Sequence, residues 1–484
     1  MKKQTSQRGY ILIGVLFVAS LSVVVLGALV GWSVSSVKFA RQVLVREQAL
    51  QVAEAGIEYA RWHLAHFQTD YTLGEETSGP HTYPFYDYGG NQIGSYTLTV
   101  TPPSLGSTIV TITSEGRIDT AVSASRTIEV RLAIPSLAKY AVVANDSMRF
   151  GAGTEIFGPL HSNGGIRFDG TAWNTVTSAL AQYDDPDHSG ANEFGVHTHR
   201  DINMSSTTDS FRALEAPPQE VPVRTDVFKA GREFPVPSVD FAGIISDLAS
   251  IKSNAQTAGK YLAPSGAQGY QIVLKANDTY DVYQVQTVTP VPSGQCRNDL
   301  NETGWGTWSI QTKTFVGNYT LPENGLIFVE DTLWIEGVID GARLTIAAAR
   351  FPDTVSQRKN IIISNDITYT HKDGTDAIAL IAQNNITIAM TADTSLDIDG
   401  ALVAQNGRVG RYYYNASCGQ YRTRTQITLF GMIATNKRYG FAFTDGSGYA
   451  TRTIVYDTSL LYSPPPFFPL AAESYQIISW EERK

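Results

Sequence analysis

The sequence predicts an α+β, mainly β, protein. It has a long N-terminal helix that crosses a membrane and continues beyond it, a small antiparallel β meander and then a parallel β-solenoid, with a β-sandwich as the alternative for the last part. Three observations predict this. Residues 10–37 run 28 positions without a charge. Three short stretches rich in β-branched residues follow between 95 and 134. Beyond Pro135 a unit of small or apolar residues leading to an Asn recurs, with its Asn at 145, 163, 365, 384, 406 and 436.

Composition sets the outer limits. With 484 residues, 43% hydrophobic and 17% charged, the chain is a folded protein of about three ordinary domains, or of one short domain and one long repetitive one. Lys and Arg number 37 against 46 Asp and Glu, a net charge of -9, so there is no strongly basic surface for phosphate backbones and nucleic acid is not an expected partner. Two cysteines, Cys296 and Cys418, exclude a disulfide-dense scaffold and form no CxxC pair for zinc or redox chemistry. They make one bridge at most.

The uncharged run spans about 42 Å as a helix, against a hydrocarbon core of about 30 Å. It is too long for a removed secretory signal. Lys2, Lys3 and Arg8 precede it with no acid, which places the N-terminus in the cytoplasm, although Lys38 and Arg41 on the far side reduce the asymmetry. Phe39, Val43, Leu50, Ala53, Ile57, Ala60, Leu64 and Phe67 then recur at helical spacings, with Arg46 breaking the series. The helix is expected to continue to about residue 67, with Gly56 its one weak point.

A short basic leader ending in Gly9, an aromatic Tyr10 and an apolar helix running into AEAGIEYA (53–60) resemble the class III signal of type IV pilins and pseudopilins, and most of all the PilX-type minor pilins. The resemblance implies that a membrane prepilin peptidase cuts after Gly9 and methylates Tyr10. It implies that the helix serves first as an inner-membrane anchor and then as the packing spine of a filament. The implied partners are that peptidase, major and minor pilins, the inner-membrane pilus assembly platform and a surface polysaccharide or protein ligand; no cofactor and no catalytic residue are implied. Where most pilins have Glu at the fifth mature position, this chain has Gly14. A carboxylate there offsets the positive N-terminus of a neighbouring subunit in an apolar core. Members of the family that lack it are minor subunits at filament tips.

After a polar loop at 69–93, SYTLTV (95–100), TIVTITS (108–114) and RTIEVRLAI (126–134) read as three strands of a meander over the outer half of the helix. Tyr83, Phe85, Tyr86 and Tyr88 in that loop read as local packing over it. The expected segments are a leader at 1–9, the helix at 10–67, the meander at 68–135, the solenoid at 136–470 and a tail at 471–484. The Asn separations are 18 in the first pair and 19, 22 and 30 in the later group, which suits turns of about 20 residues. Asn at one corner of each turn tolerates left-handed backbone and bonds locally.

An insertion at about 171–324 is expected to cover one side or end of the solenoid. It includes an acidic loop at 182–195 and a Pro-rich passage at 216–237. It also holds a helix carrying Phe241, Ile244, Ile245, Leu248 and Ile251 behind Ser238 or Asp240 as cap. The proline-rich YSPPPFFPL (462–470) reads as an end cap of the coil.

Candidate site residues are few. Asp184, Asp185, Asp187 and Glu193 do not match a calcium loop and read as a solvated acidic loop. His197 and His199 share a strand face but have no third ligand in the spacing, so no metal is expected. Asp397 and Asp399, near Asp393, have the carboxylate pairing of a glycosidase but read as solubilising residues. Trp305, Trp308, Tyr412, Tyr413 and Tyr414 form a candidate contact surface in two loops that also hold Cys296 and Cys418, the candidate disulfide. The functional expectation is a non-enzymatic minor pilin or pseudopilin that primes assembly and displays a contact domain at a filament tip. The alternatives are an uncleaved signal-anchored envelope scaffold, separated by leader processing, and a polysaccharide-active enzyme, which would require Asp397 or Asp399.

Overall fold

A computed structural model of the chain describes residues 8–119, 124–202, 207–241, 248–292, 294–471 and 474–483. Lys2 and Lys3 of the leader, and Ile244 and Ile245 of the expected helix, lie outside them. The chain forms two compact units, residues 1–102, 109–133 and 474–484 in the first and 103–108 and 134–473 in the second.

The first unit is built on α1 (Arg8–His66), 59 residues long. Its outer half presents Ala49, Val52, Ala53, Ile57, Ala60 and Leu64 at spacings of three and four, all buried. Phe39, Val43 and Phe67, expected on the same face, are exposed, so the buried stripe begins only at Ala49, between two and three turns after Phe39, and ends at Leu64. Opposite it lie β1 (His81–Tyr86), β2 (Gln92–Thr101), β3 (Val110–Ile118) and β4 (Ser125–Ala133). Leu98, Val110, Ile112, Ile128, Val130 and Leu132 of the sheet meet the helix stripe in one core. Each large apolar side chain so buried contributes about 1.5–3 kcal/mol.

Two corrections apply to the predicted meander. The loop at 69–93 holds a strand, β1, whose alternate residues Tyr83 and Phe85 turn towards the sheet's apolar side while Tyr86 and Tyr88 are exposed. The expected tail at 471–484 holds another, Gln476–Arg483, which pairs antiparallel with β4. The sheet therefore has five antiparallel strands, and the second unit is inserted in the chain between the fourth and the fifth.

Gly56, the weak point by helix propensity, is explained by packing. A Cβ there would sit 2.4 Å from Ser114 Oγ and 2.8 Å from the Tyr96 ring. Gly116 of β3 meets the helix two turns earlier, where a Cβ would stand 2.2 Å from the Ala49 carbonyl oxygen. Backbone cannot yield as a side chain can, so Gly116→Val is expected to destabilise the first unit by about 1–3 kcal/mol. Gly440→Ala, into open space, should leave the denaturant midpoint unchanged; equal midpoints for the two variants would refute the close-approach account.

The helix exit is pinned by Asp70, whose carboxylate accepts from the Thr72 hydroxyl, the Thr72 and Gly74 amides and the His63 ring at 2.6–3.0 Å. The Thr72 hydroxyl, then His63 and the two amides, hold its pKa down to about 2 from 3.8. A lowered carboxylate contributes stability above its unfolded pKa and loses it as pH falls through the folded one. Asp70→Asn should therefore destabilise at pH 6, and the gap to wild type should close between about pH 4 and pH 2, as thermal melts across that range would show.

In the second unit the strands stack in parallel as turns of a coil. One ladder runs through Lys260–Leu262, Leu326–Val329, Arg343–Ala348, Ala377–Ala382, and the ends of Ser395–Ala404 and Thr423–Thr435. It continues through Val142–Ala144, Leu160–Ser162, Val176–Ser178 and Arg232–Glu233. Turn order is thus not chain order. The chain builds the turns from 142 to 233, crosses to the opposite end of the ladder at 260 and winds back until its last turn lies on its first. A second ladder joins Ile361–Tyr369, Ile386–Ile388 and Val409–Arg411, and a third joins Thr423–Thr435, Gly448–Tyr456, Thr154–Phe157 and Thr171–Ala172.

The first ladder brings one apolar column into register: Ile327, Ile346, Leu380, Leu402, Ile433, Val142, Leu160 and Val176, all in the inner core. Its other face is also buried, with Ala347, Ala379, Ala401 and Ala434 kept small under Leu248, Ile251 and Ala255 of the helix Leu248–Ala258 and under Leu460 and Phe468. Phe468 belongs to the proline-rich stretch, which lies along this face and not at the end of the coil. Arg343 donates to the carbonyls of Ser463 and Pro464, and Thr345 to that of Pro466.

The expected insertion at 171–324 itself contributes turns at Val176–Ser178, Arg232–Glu233, Lys260–Leu262 and Gly269–Lys275. Its strands Thr279–Val288 and Ile310–Thr320 leave the coil as an antiparallel extension. The Asn corner is present where the last turn of the coil meets the first, since Asn163 donates to Asn145 and Asn145 to Asn436, each at 2.8 Å. Asn365 is instead inside the strand Ile361–Tyr369, and Asn360 takes the corner position, accepting from Asn384 at 2.9 Å.

Candidate functional site

The acidic loop is only partly solvated, with Asp185 and Glu193 buried. Gln182–Tyr183 pairs antiparallel with Glu193–Phe194, so residues 184–192 form the head of a hairpin. Val196–His197 then joins the coil in parallel beside Ile166–Phe168, with His197 opposite Arg167. Gly165 permits this fold-over, because a Cβ there would lie 1.9 Å from the Tyr183 ring. The hairpin brings Asp185, His188, Glu193, His197 and His199 together. Asp185, Glu193, His197 and His199 are buried, and the His188 side chain is 5% exposed.

Three imidazole Nε2 atoms converge on Glu193, with His188 at 3.0 Å and His197 at 3.1 Å from Oε2 and His199 at 2.8 Å from Oε1. Asp185 Oδ2 lies 3.6 Å from His188 Nε2 and 3.5 Å from His197 Nε2. Burial works against the charge on both carboxylates, while the Arg212 amide at Glu193, and the Asp187 amide and the Arg167 guanidinium at Asp185, act in the opposite direction. Asp187 points outwards and binds Arg438 and Arg149. Asp184 is exposed. Sequence spacing offered His197 and His199 no third ligand and passed over His188; an Asp-x-x-His step in a loop just ahead of a His-x-His step was the signal available.

Cys296 and Cys418 are bonded to each other across 122 residues. The aromatics around them pack on one another. Tyr412 and Tyr414 are buried and form a small core with the disulfide and Met390, against which half-buried Trp305 and Trp308 pack; Tyr413 is half-buried beside it. Tyr414 donates to the Gly306 carbonyl at 2.8 Å and Trp305 Nε1 to the Tyr413 carbonyl at 2.7 Å, so the two loops hold each other through these rings. Asp399 is occupied by the Tyr369 amide and Lys372, each at 2.8 Å, while Asp397 is exposed. A polar cleft of about 710 Å³ opens beside Arg149, Asp187, Arg438 and Arg452, where the last turn meets the first. Tyr10 and Gly14 lie in the exposed apolar half of α1, and a Cβ on Gly14 would meet nothing.

Together these define a helix–sheet unit, whose helix is long and apolar enough to cross a membrane, carrying an inserted parallel β-coil with a buried His–carboxylate cluster. No family model and no curated protein matches the chain. Among solved structures, the competence-associated pilin ComZ from Thermus thermophilus is similar over 91% of this chain and 98% of that chain, at 15% identity and a TM-score of 0.30.

The disulfide closes a long loop, worth up to about 5 kcal/mol in the chain-entropy model. Cys418→Ser is expected to lower the non-reducing thermal midpoint of the second unit. It should also quench less of the Trp305 and Trp308 fluorescence as the loops part; an unaltered midpoint and spectrum would show that the aromatics alone hold them.

Proposed function

We propose that this chain is a PilX-like minor pilin or pseudopilin of a type IV pilus or related secretion filament. In this reading it is processed after Gly9, methylated on Tyr10, anchored in the inner membrane by residues 10–37 and without enzymatic activity. The observation that carries the reading is the division of α1. Residues 49–64 bury one stripe on an antiparallel sheet, while residues 10–37, apolar on all sides, are exposed along their whole length. A helix of that kind requires a non-aqueous host, first lipid and then the matching helices of other subunits. The uncharged Gly14 leaves a neighbouring N-terminal charge without a partner in such a stack, which favours a place at the filament tip. Major and minor pilins, the peptidase and the assembly platform are the partners. The inserted coil is the displayed part, available to a surface polysaccharide or protein.

The test is the N-terminal mass of the protein from cells with and without the prepilin peptidase. A chain starting at methylated Tyr10 only when the peptidase is present is the expected result. An intact leader in both would leave an uncleaved signal-anchored protein and end the pilin reading.

A further inference from the structure

The His–carboxylate cluster serves neither the anchor nor the filament stack, and its hydrogen-bond chemistry is incomplete. His197 Nδ1 lies 3.2 Å from the Phe194 carbonyl oxygen and His199 Nδ1 2.9 Å from that of Thr208. A carbonyl oxygen only accepts, so each Nδ1 carries the hydrogen and a neutral ring presents its lone pair at Nε2. Those lone pairs face carboxylate oxygens at 2.8–3.1 Å, an arrangement that repels unless something positive lies between.

A second proton on each ring is one remedy. It would gather up to three cationic rings, with centroids only 5.0–5.1 Å apart for the His188–His199 and His197–His199 pairs, in a buried site that already contains Arg167. Desolvating that much charge is costly. One divalent cation balanced by Asp185 and Glu193, with neutral imidazoles, is the cheaper solution.

Orphaned atoms point the same way. His197 Nε2 and Asp185 Oδ2 are fully buried, turn into the cluster and have no hydrogen-bond partner. Such atoms ordinarily cost about 1–3 kcal/mol each when left unpaired. Spacing fits as well. Four ligands at about 2.0–2.1 Å around a tetrahedral ion stand roughly 3.3 Å from one another. The five closest imidazole–carboxylate separations run from 2.8 to 3.6 Å, and one ligand atom from each of Asp185, His188, Glu193 and His199 lies within 4.8 Å of all the others.

We propose that four ligands drawn from Asp185, His188, Glu193, His197 and His199 form a binding site for one divalent transition cation of the zinc class. Imidazole nitrogen with carboxylate oxygen suits such an ion better than the all-oxygen sets of calcium or magnesium. The carbonyls of Phe194 and Thr208 are the outer groups that orient two of the ligands. Every donor comes from the chain and almost no surface is exposed, so the site is closed and structural. What it holds is the hairpin, and through Asp187 the hairpin reaches Arg149 on the first turn of the coil and Arg438 on the last.

The test uses the full chain in detergent, purified without a polyhistidine tag, stripped with chelator and titrated with zinc alone. One equivalent bound per chain, measured by elemental mass spectrometry after desalting, with a thermal midpoint that rises on zinc addition, is expected. Glu193→Gln and His199→Gln should reduce the bound zinc from one equivalent towards none, while His161→Gln, a buried imidazole bonded to Thr177 and Asn163 outside the cluster, should retain it. Cobalt(II) added to the wild type reports the same site by its visible ligand-field bands, so variants that fail to fold do not decide the matter. Folded wild-type protein that takes up no stoichiometric zinc, or zinc retained in full by both cluster variants, would overturn the proposal.

Discussion

The second unit depends on one junction, the pairing of Ile433, Ala434 and Thr435 with Val142, Val143 and Ala144. Before it forms, the turns from 142 to 233 and those from 260 to 435 are two short coils, each with an open strand edge and an unfinished core. Their union places Ile433 against Val142 in the apolar column and completes the amide chain from Asn436 to Asn145 to Asn163. The contact joins residues 291 apart in sequence. Loop-closure entropy rises only slowly with such a separation, so the junction costs little extra in stability, but high contact order makes it a late event in folding.

The first unit has the same dependence in smaller form. Its fifth strand, Gln476–Arg483, reaches β4 only after the whole inserted unit has been traversed, and until then β4 is an open edge. On the opposite side β1 stays an edge, and Pro84 within it removes one ladder donor, a common defence against strand addition. The helix stripe buries on β2, β3 and β4. Its close approach at Gly56 and Gly116 sets the spacing between the two layers.

These long-range closures are what sequence patterns could not carry. Period and length revealed the helix, because both are local, and the recurring Asn revealed a coil, because every turn meets the same corner problem. The order of turns is absent from any local window, and so is the identity of Asn360, which outranks the better-looking Asn365. Gln476–Arg483 escaped notice because its exposed, charged residues read as a tail; only pairing with β4 makes it a strand. The YYY triplet at 412–414 looked like a projecting surface, yet the bond between Cys296 and Cys418 closes the two loops over it. The metal-ligand types at 185, 193, 197 and 199 were legible as types. What joined them to His188 was a hairpin fold-over permitted by Gly165, a feature of the neighbouring turn and not of the loop itself.

The hairpin and the junction are one mechanical system. Asp187 lies on the hairpin that the five clustered residues gather, and its carboxylate is shared by Arg149 of the first turn and Arg438 of the last. An exposed pair of this kind is worth little alone, since side-chain entropy and salt offset most of the attraction. Two guanidinium groups from opposite sides of a seam on one partly buried acid are different, provided the acid is held still. Its own loop cannot do that without the cluster behind it. Order in the hairpin thus converts a weak surface contact into a brace across the seam, and it fixes one wall of the polar cleft at that seam, where Arg149, Asp187 and Arg438 all stand.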